Sequence, residues 1–341
     1  MTERVPDAMH QIDIVFPHGT NVDLEPDEDI EDAEMQSLGG SDVDSALGES
    51  EAWPSSTASL RSSIVRAREE NGRIYHGYKD GKYVLPTDQE ELDRQAFQYQ
   101  LCQLTFENRL NFAPVHHPHR VLDVGCGEAH PEAEVVGVDL SPVQPGFTPP
   151  NVHYEIDDLE EEWSFSRKFD YVHSNVVSSN LNPGGWFEIQ DIDFPMRCDD
   201  GTIPPDCDLG RWNELMMEAG QRSGFLLDTC GRAAEMMASV GFVDIVRIQF
   251  KWPINQWPRD VKHKTLGVWT EANFSVGLES MTLALFTRFM GWRKEEVWDF
   301  SANVIAEWRD PALRTIADEL LALSVDFRLT MSIPVARRVV A

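Results

Sequence analysis

The residues of this chain best placed to do chemistry stand at the ends of short apolar runs. Asp123 lies in "RVLDVGCG", just ahead of Gly125 and Gly127. Asp139 closes "EVVGVD", Asp157 and Asp158 follow "VHYEI", and His173 closes "FDYVH". Glycines at such a turn let a ligand approach the backbone. A carboxylate accepts hydrogen bonds from a ribose diol or an exocyclic amine, and an imidazole exchanges a proton near neutral pH.

A dinucleotide site would want G-x-G-x-x-G, and His130 stands where the third glycine would be, so nicotinamide cofactors are disfavoured. An aspartate two residues ahead of the first glycine suits S-adenosylmethionine instead. The turn then packs beside the methionine and ribose portion, and Asp123 helps hold the amino-carboxylate end. Asp139 would accept both ribose hydroxyls, and Asp157 or Asp158 would accept from the adenine amino group. The competing readings are a helix N-cap for Asp139 and an exposed acidic turn for Asp157 and Asp158, since "LEEEW" follows. His173, at a strand end that faces the ligand crevice, is either a base for the substrate or a structural residue. Tyr75 and His76, in "RIYHGY", either cover the cofactor or pack in the core. His116, His117 and His119 lie in a proline-rich loop and read as solvated rather than as metal ligands.

The elements that would position these groups follow from hydrophobic period. Strands are expected at 120–124, 135–139, 152–156, 169–173 and 185–190, spaced as in a parallel sheet. Ahead of them, Tyr75, Tyr78 and Tyr83 alternate with glycine and charge, as in a hairpin or loop. A helix then starts at Asp88 and carries Leu92, Phe97, Leu101 and Leu104 on one stripe. Past Pro205, "LGRWNELMMEAGQRSG" and "GRAAEMMASVGF" read as helices closed by glycine. "VDIVRIQFKWPI" reads as a strand and 264–292 as a long helical region. Its aromatic residues (Trp269, Phe274, Phe286, Phe289, Trp292) suit a core or a pocket lid. "PALRTIADELLALS" reads as a further helix and "VDFRLTMSIPVARRVVA" as a closing strand.

Composition narrows the classes. The chain has 341 residues, 42% of them apolar, and a net charge of −29. Residues 1–60 hold fifteen acidic residues against the single Arg4, so about half of the excess sits in that segment. Such a stretch cannot bury enough apolar surface to offset its ordering entropy and is expected to be a disordered tail. No basic stripe answers nucleic-acid phosphate, no run reaches the eighteen apolar residues of a membrane helix, and the amino terminus lacks a signal-peptide pattern. Five scattered cysteines without a C-x-x-C pair suggest reduced thiols and a cytoplasmic or nuclear setting.

With these residues in view, the chain resembles the fungal methyltransferases of the LaeA type, class I S-adenosylmethionine-dependent enzymes. The resemblance runs in order from about residue 55 to 300. It is carried by "NGRIYHGYKDGKYVLPTDQEELDR", "RVLDVGCG", "HPEAEVVGVDLSPVQPGFTPPNVHYEIDDLEEEWSF", "FDYVHS", "NPGGWFEIQDIDFP", "DDGTIPPD", "RWNELMMEA" and "LALFTRFMGW". It implies an α/β, doubly wound Rossmann-like sheet with a helical cap. It also implies cofactor roles for Asp123, Gly125, Gly127, Asp139 and Asp158. The layout it suggests is an acidic tail at 1–60, a loop and helix on the core at 61–119, the methyltransferase core at 120–255, and a cap with a closing segment at 256–341. The partner would be a small-molecule acceptor or a protein. The implied activity is methyl transfer in fungal secondary metabolism; the alternative is a non-catalytic regulator acting through protein partners.

Two departures stand against that resemblance. "GCGEAHPEAEV" has Ala129 where the family has a third glycine and is short by about ten residues. "SNVVSSNLNPGGW" likewise lacks an amphipathic helix. A parallel crossover normally takes a dozen or more residues. Two crossover helices are therefore expected to be missing, apolar strand surface to be left uncovered, and the cofactor to be held weakly. A gap in the coding sequence, a diverged binding protein, and a protein kept for its partner surface all fit this pattern.

Overall fold

The computed structural model describes residues 67–77, 81, 83–124, 132–139, 148–158, 161, 165–173, 181–198, 206–309 and 327–338. The acidic tail, Tyr78, the glycine turn with Gly125, Cys126 and Gly127, and the helix expected at 311–324 lie outside them.

The chain opens with a hairpin of β1 (Arg68–Glu70) and β2 (Arg73–Tyr75), turned through Asn71 and Gly72, both at positive φ. Helix α1 (Gln89–Phe106) follows, capped by Asp88, whose carboxylate accepts from the amide of Glu91. Then come β3 (Arg120–Val124), β4 (Glu134–Asp139), β5 (Val152–Ile156), β6 (Phe169–His173) and β7 (Leu181–Glu188). All are parallel, in the spatial order β5-β4-β3-β6-β7. The chain therefore runs outward from β3 to β5, then crosses back to β6. That reversal is the topological switch point of a doubly wound sheet, where ligands bind at the carboxyl ends.

The rest of the sheet is antiparallel. β7 and β8 (Asp191–Cys198) pair with successive halves of one edge of β10 (Phe327–Arg338), and β9 (Phe242–Pro253) takes its other edge. Helices α2 (Asp208–Ser223), α3 (Thr229–Ser239), α4 (Val261–Leu285) and α5 (Lys294–Arg309) complete the fold. α4 ends in a π turn, Phe286–Met290, closed by Gly291 at φ 75°.

Four expectations need correction. The strand expected at 185–190 runs from Leu181 to Glu188 instead, because Pro183, Gly184 and Gly185 form a bulge within it. Asp170 of β6 alone faces residues 182–185, between the pairs Phe169–Leu181 and Tyr171–Trp186. A Cβ on Gly185 would lie 2.8 Å from the Asp170 carbonyl oxygen, so glycine is what lets the bulge close. β8 was not expected at all. Nor was α5, although Val297, Phe300, Val304 and Trp308 recur at helical spacing and are buried.

The fourth correction concerns the short connections. β3 and β4 pair in parallel with only residues 125–133 between them, and β6 and β7 with only 174–180. The strand surface is nevertheless covered on both faces. Leu122, Val136, Val138 and Val172 on one side, and Val121, Val135 and Tyr171 on the other, are at most 3% exposed. Cys230, Ala233 and Met237 of α3, together with Phe165, close the first face. Leu101 and Phe106 of α1, with Val84, belong to the cluster on the second.

Candidate functional site

The site is set by alternation and register. In parallel neighbours, residues in register share a face. Tyr154, Gly137, Asp123, His173 and Glu188 form one row across β5, β4, β3, β6 and β7. Asp123 and His173 straddle the switch point, one on each side of the reversal. The row faces the side covered by α1.

Asp123 is buried and His173 partly so, and Nδ1 of His173 lies 2.9 Å from Oδ1 of Asp123. Burial works against the imidazolium, but the hydrogen bond and charge of Asp123, with the charge of Glu188, outweigh it. The pKa of His173 is held above the usual imidazole value. A raised histidine pKa stabilises the fold fully below the unfolded value, near 6.5, and the gain is lost as pH rises through the folded value. The melting-temperature difference between wild type and His173→Asn is therefore expected to be largest near pH 6, to shrink towards about pH 9, and to be read by thermal scans across that range. A difference that ignores pH would detach His173 from Asp123.

Glu188 is fully buried. Its carboxylate accepts from the backbone amides of Phe112 (2.9 Å) and Ala113 (2.7 Å) and from the Gln190 side chain (2.7 Å). Gln190 also donates to the carbonyl of Leu110. Tyr171, one residue pair below on the same face, is held protonated first by burial and then by the charges of Glu188 and Asp123. Glu188 thus ties the loop after α1 to the carboxyl end of β7. Sequence reading missed this role, although an acidic residue inside the apolar run "GGWFEIQ" was a visible signal.

The other expected residues fall at neighbouring strand ends. Asp139 ends β4, and its carbonyl accepts from the amide of Asp157 at 3.3 Å. Asp158 is 8% exposed, so it is not the exposed acidic turn that was the competing reading; its amide donates to the Asp157 carboxylate. Asp139 ends a strand and caps no described helix. Tyr75 and His76 are both buried. The Tyr75 ring packs under the guanidinium of Arg288, 4.6 Å from the ring centre, and its hydroxyl is pushed up to about 12 by burial. His117 pairs with Glu132 at 2.7 Å, both exposed, a carboxylate partner the loop's composition had not revealed. Among the described residues, no cluster of histidine, cysteine and acidic side chains has the makings of a metal site. The thiols of Cys102 and Cys207 are pushed up by burial to about 12 and about 11, which leaves them protonated and poor nucleophiles. No helix among the described residues is long and apolar enough to cross a membrane.

What gathers at the carboxyl ends is a set of hydrogen-bond acceptors with one proton-exchanging imidazole. Such a set suits a ligand bearing hydroxyls, an amine and an ammonium group.

No protein-family model matches the chain. It is 34% identical over 285 residues to the methyltransferase pytC of Aspergillus terreus, covering 76% of this chain and 87% of that protein. It is 34% identical over 253 residues to the secondary metabolism regulator LAE1 of Cochliobolus heterostrophus, covering 65% and 82%. To the secondary metabolism regulator laeA of Aspergillus fumigatus it is 31% identical over 284 residues, covering 74% of each. A solved structure of a Haemonchus contortus phosphoethanolamine N-methyltransferase 2 with S-adenosylhomocysteine aligns at 15% identity and a TM-score of 0.37, covering 83% of this chain and 73% of that one.

Proposed function

The chain belongs to the LaeA-like family of fungal methyltransferases of secondary metabolism, and from that premise we propose that it binds S-adenosylmethionine at the carboxyl ends of β3–β6 and transfers its methyl group to a small-molecule acceptor. The observation that carries the reading is the Asp123–His173 pair at the switch point, with Asp139 and Asp158 at the next strand ends on one side. The donor set fits the cofactor. Asp139 accepts the ribose hydroxyls, Asp158 the adenine amino group, and the Asp123 carboxylate the ammonium of the methionine end. By family resemblance Gly125 and Gly127, outside the described residues, would add to this set.

When bound, the cofactor supplies an electrophilic methyl on a positive sulfur. The protein's work is to hold an acceptor about 3 Å from it, in line with the bond that breaks, and to keep water out. His173 adds a base. Asp123 fixes the ring through Nδ1, which leaves Nε2 to take the proton that an acceptor hydroxyl or amine loses as it is methylated. A pKa raised towards the working pH suits that role.

A second reading is favoured by the names of LAE1 and laeA, which are called regulators: a methyltransferase-like protein that acts through a protein partner. Cofactor binding separates the two. Calorimetric titration of the wild type with S-adenosylhomocysteine is expected to saturate, with an affinity reduced by the shortness of the connection at 125–133. Asp139→Ala is expected to weaken it a further 10- to 100-fold, about 1.5–3 kcal/mol, for the lost charge-assisted hydrogen bonds. A flat titration for the wild type would leave only the regulatory reading.

A further inference from the structure

Two side chains at neighbouring strand ends are each held from behind by a buried carboxylate. His173 is one, bonded through Nδ1 to Asp123 at 2.9 Å. Gln190 is the other. Its Nε2 donates to Oε1 of Glu188 at 2.7 Å and to the carbonyl of Leu110 at 3.1 Å. Both of these neighbours are acceptors, so the amide must turn its nitrogen to them, and both amide hydrogens are used. The amide oxygen is left facing away. No described residue donates to that oxygen, and none bonds Nε2 of His173. His173 keeps 29% of its side chain exposed and Gln190 is half-buried, so a ligand can reach both heads.

Register fixes where Gln190 stands. Glu188 faces Val335 of β10 and Asp191 faces Ser332, three positions on in each strand, so Ile189 and Gln190 continue the line of β7 without a slip. Alternation then returns Gln190 to the face of Glu188, as their 2.7 Å contact requires. Glu188 in turn lies beside His173, its register partner on β6. Gln190 is therefore one pleat beyond the row, towards the carboxyl ends, and diagonal to His173. With strands about 4.8 Å apart and a rise of about 3.3 Å per residue, the two Cα atoms lie roughly 8 Å apart. A small ligand bridges two side chains at that separation.

We propose that Gln190 is a specificity-determining residue for the methyl acceptor: its amide oxygen takes a hydrogen bond from a second donor on the acceptor, while Nε2 of His173 takes the proton of the group being methylated. This rests on the reading of the site given above. The ligand class is an acceptor with two neighbouring O–H or N–H groups, such as a vicinal diol on an aromatic ring or an amino alcohol. In the transfer, the acceptor oxygen or nitrogen forms the bond to the methyl carbon. The C–S bond breaks with its electron pair left on sulfur, and the proton passes to Nε2. Gln190 loses no proton; it reads the neighbouring group. An acceptor without that second donor would leave the amide oxygen desolvated and unpaired. The oxygen is stiffly aimed, because Glu188 is itself held by the amides of Phe112 and Ala113. A flipped amide would set its oxygen against Glu188 and the Leu110 carbonyl, two acceptors.

The test uses the full chain, with catechol and phenol as probes, at a pH where the His173 ring titrates as neutral. Two-dimensional NMR reads the side-chain amide of Gln190 and the ring of His173. Catechol is expected to shift both, and to bind about tenfold tighter than phenol for the one extra hydrogen bond. In Gln190→Met, which keeps the length and loses the amide, that ratio is expected to fall to near one. The wild-type resonances carry the test if the variant fails to fold, since phenol is expected to shift His173 alone. Equal affinities for the two probes, or a preference that survives in Gln190→Met, would overturn the proposal. So would silence of both resonances up to the solubility limit of catechol. S-adenosylhomocysteine, titrated in parallel, reads the cofactor separately: its failure to bind would bring down the cofactor reading, while the catechol preference stands or falls by itself.

Discussion

Gly267→Ala is expected to destabilise the protein by about 3–5 kcal/mol, the high end of overpacking, because the added methyl has nowhere to go. Gly267 sits two turns into α4, against the backbone of Asn255. A Cβ there would fall inside the contact radius of the Asn255 carbonyl oxygen and 2.5 Å from its carbonyl carbon. Asn255 cannot step aside. Its side chain donates to the carbonyl of Trp308 at 3.2 Å and accepts from the amide of Trp257 at 3.1 Å, while the indole of Trp308 bonds the carbonyl of Ile254. Either α4 lifts from β9 or the Trp308 anchor breaks. Thermal unfolding is expected to show a melting temperature lower by roughly 10 °C. Gly224→Ala makes the control: Gly224 has φ 79° and open space around it, so alanine there meets only backbone strain, about 1 kcal/mol. Equal losses in the two variants would mean that the α4–Asn255 contact is looser than the geometry states.

Glu188→Ala is the second large effect, and it works through desolvation. The carboxylate serves two backbone amides, those of Phe112 and Ala113, in a fully buried position. Removing it strands both donors, at about 1–3 kcal/mol each, for a loss of about 3–5 kcal/mol. Glu188→Gln keeps one acceptor oxygen and is expected to lose about half as much. The loss of stability should be accompanied by faster proteolysis within 107–115, where the loop is released from β7. Intact resistance of that loop in Glu188→Ala would show that Phe106 and Phe112, packed on Phe250, hold it without the carboxylate.

The parts of this fold legible in the sequence are those fixed by local pattern. β3, β5 and β6 match their apolar runs, and α1 begins where Asp88 can cap it, because periodicity and capping act over a few residues. The row at the switch point was half legible. Asp123 and His173 each announce themselves at a strand end, but that they touch depends on β6 lying beside β3, which is a matter of topology. α5 was overlooked although its period is plain, since "RKEEVWDFSAN" offers little apolar density at its start. The bonds from Arg288 of the π turn to the Glu70 carboxylate and the Tyr83 carbonyl were not legible at all. Arg288 and Tyr83 are separated by 205 positions, and nothing in either neighbourhood encodes the other. The start of β7 was not legible for a related reason: proline and glycine interrupt a strand pattern locally, and the partner strand decides that Pro183–Gly185 form a bulge.

The position of β10 has a consequence for how the protein comes into being. Among the described strands, β9 pairs with none but β10, and β8 likewise; β7 and β9 meet through it. During synthesis the earlier strands leave the ribosome with a vacant slot between them, which closes only when residues 327–338 emerge. Until then the nascent chain carries two open strand edges facing one gap, the kind of surface that chaperones cover and that recruits like segments from neighbouring chains. A reading-frame lesion anywhere downstream of β9 would therefore act on the whole molecule: it would deprive half the sheet of its keystone and leave the cell a protein to clear.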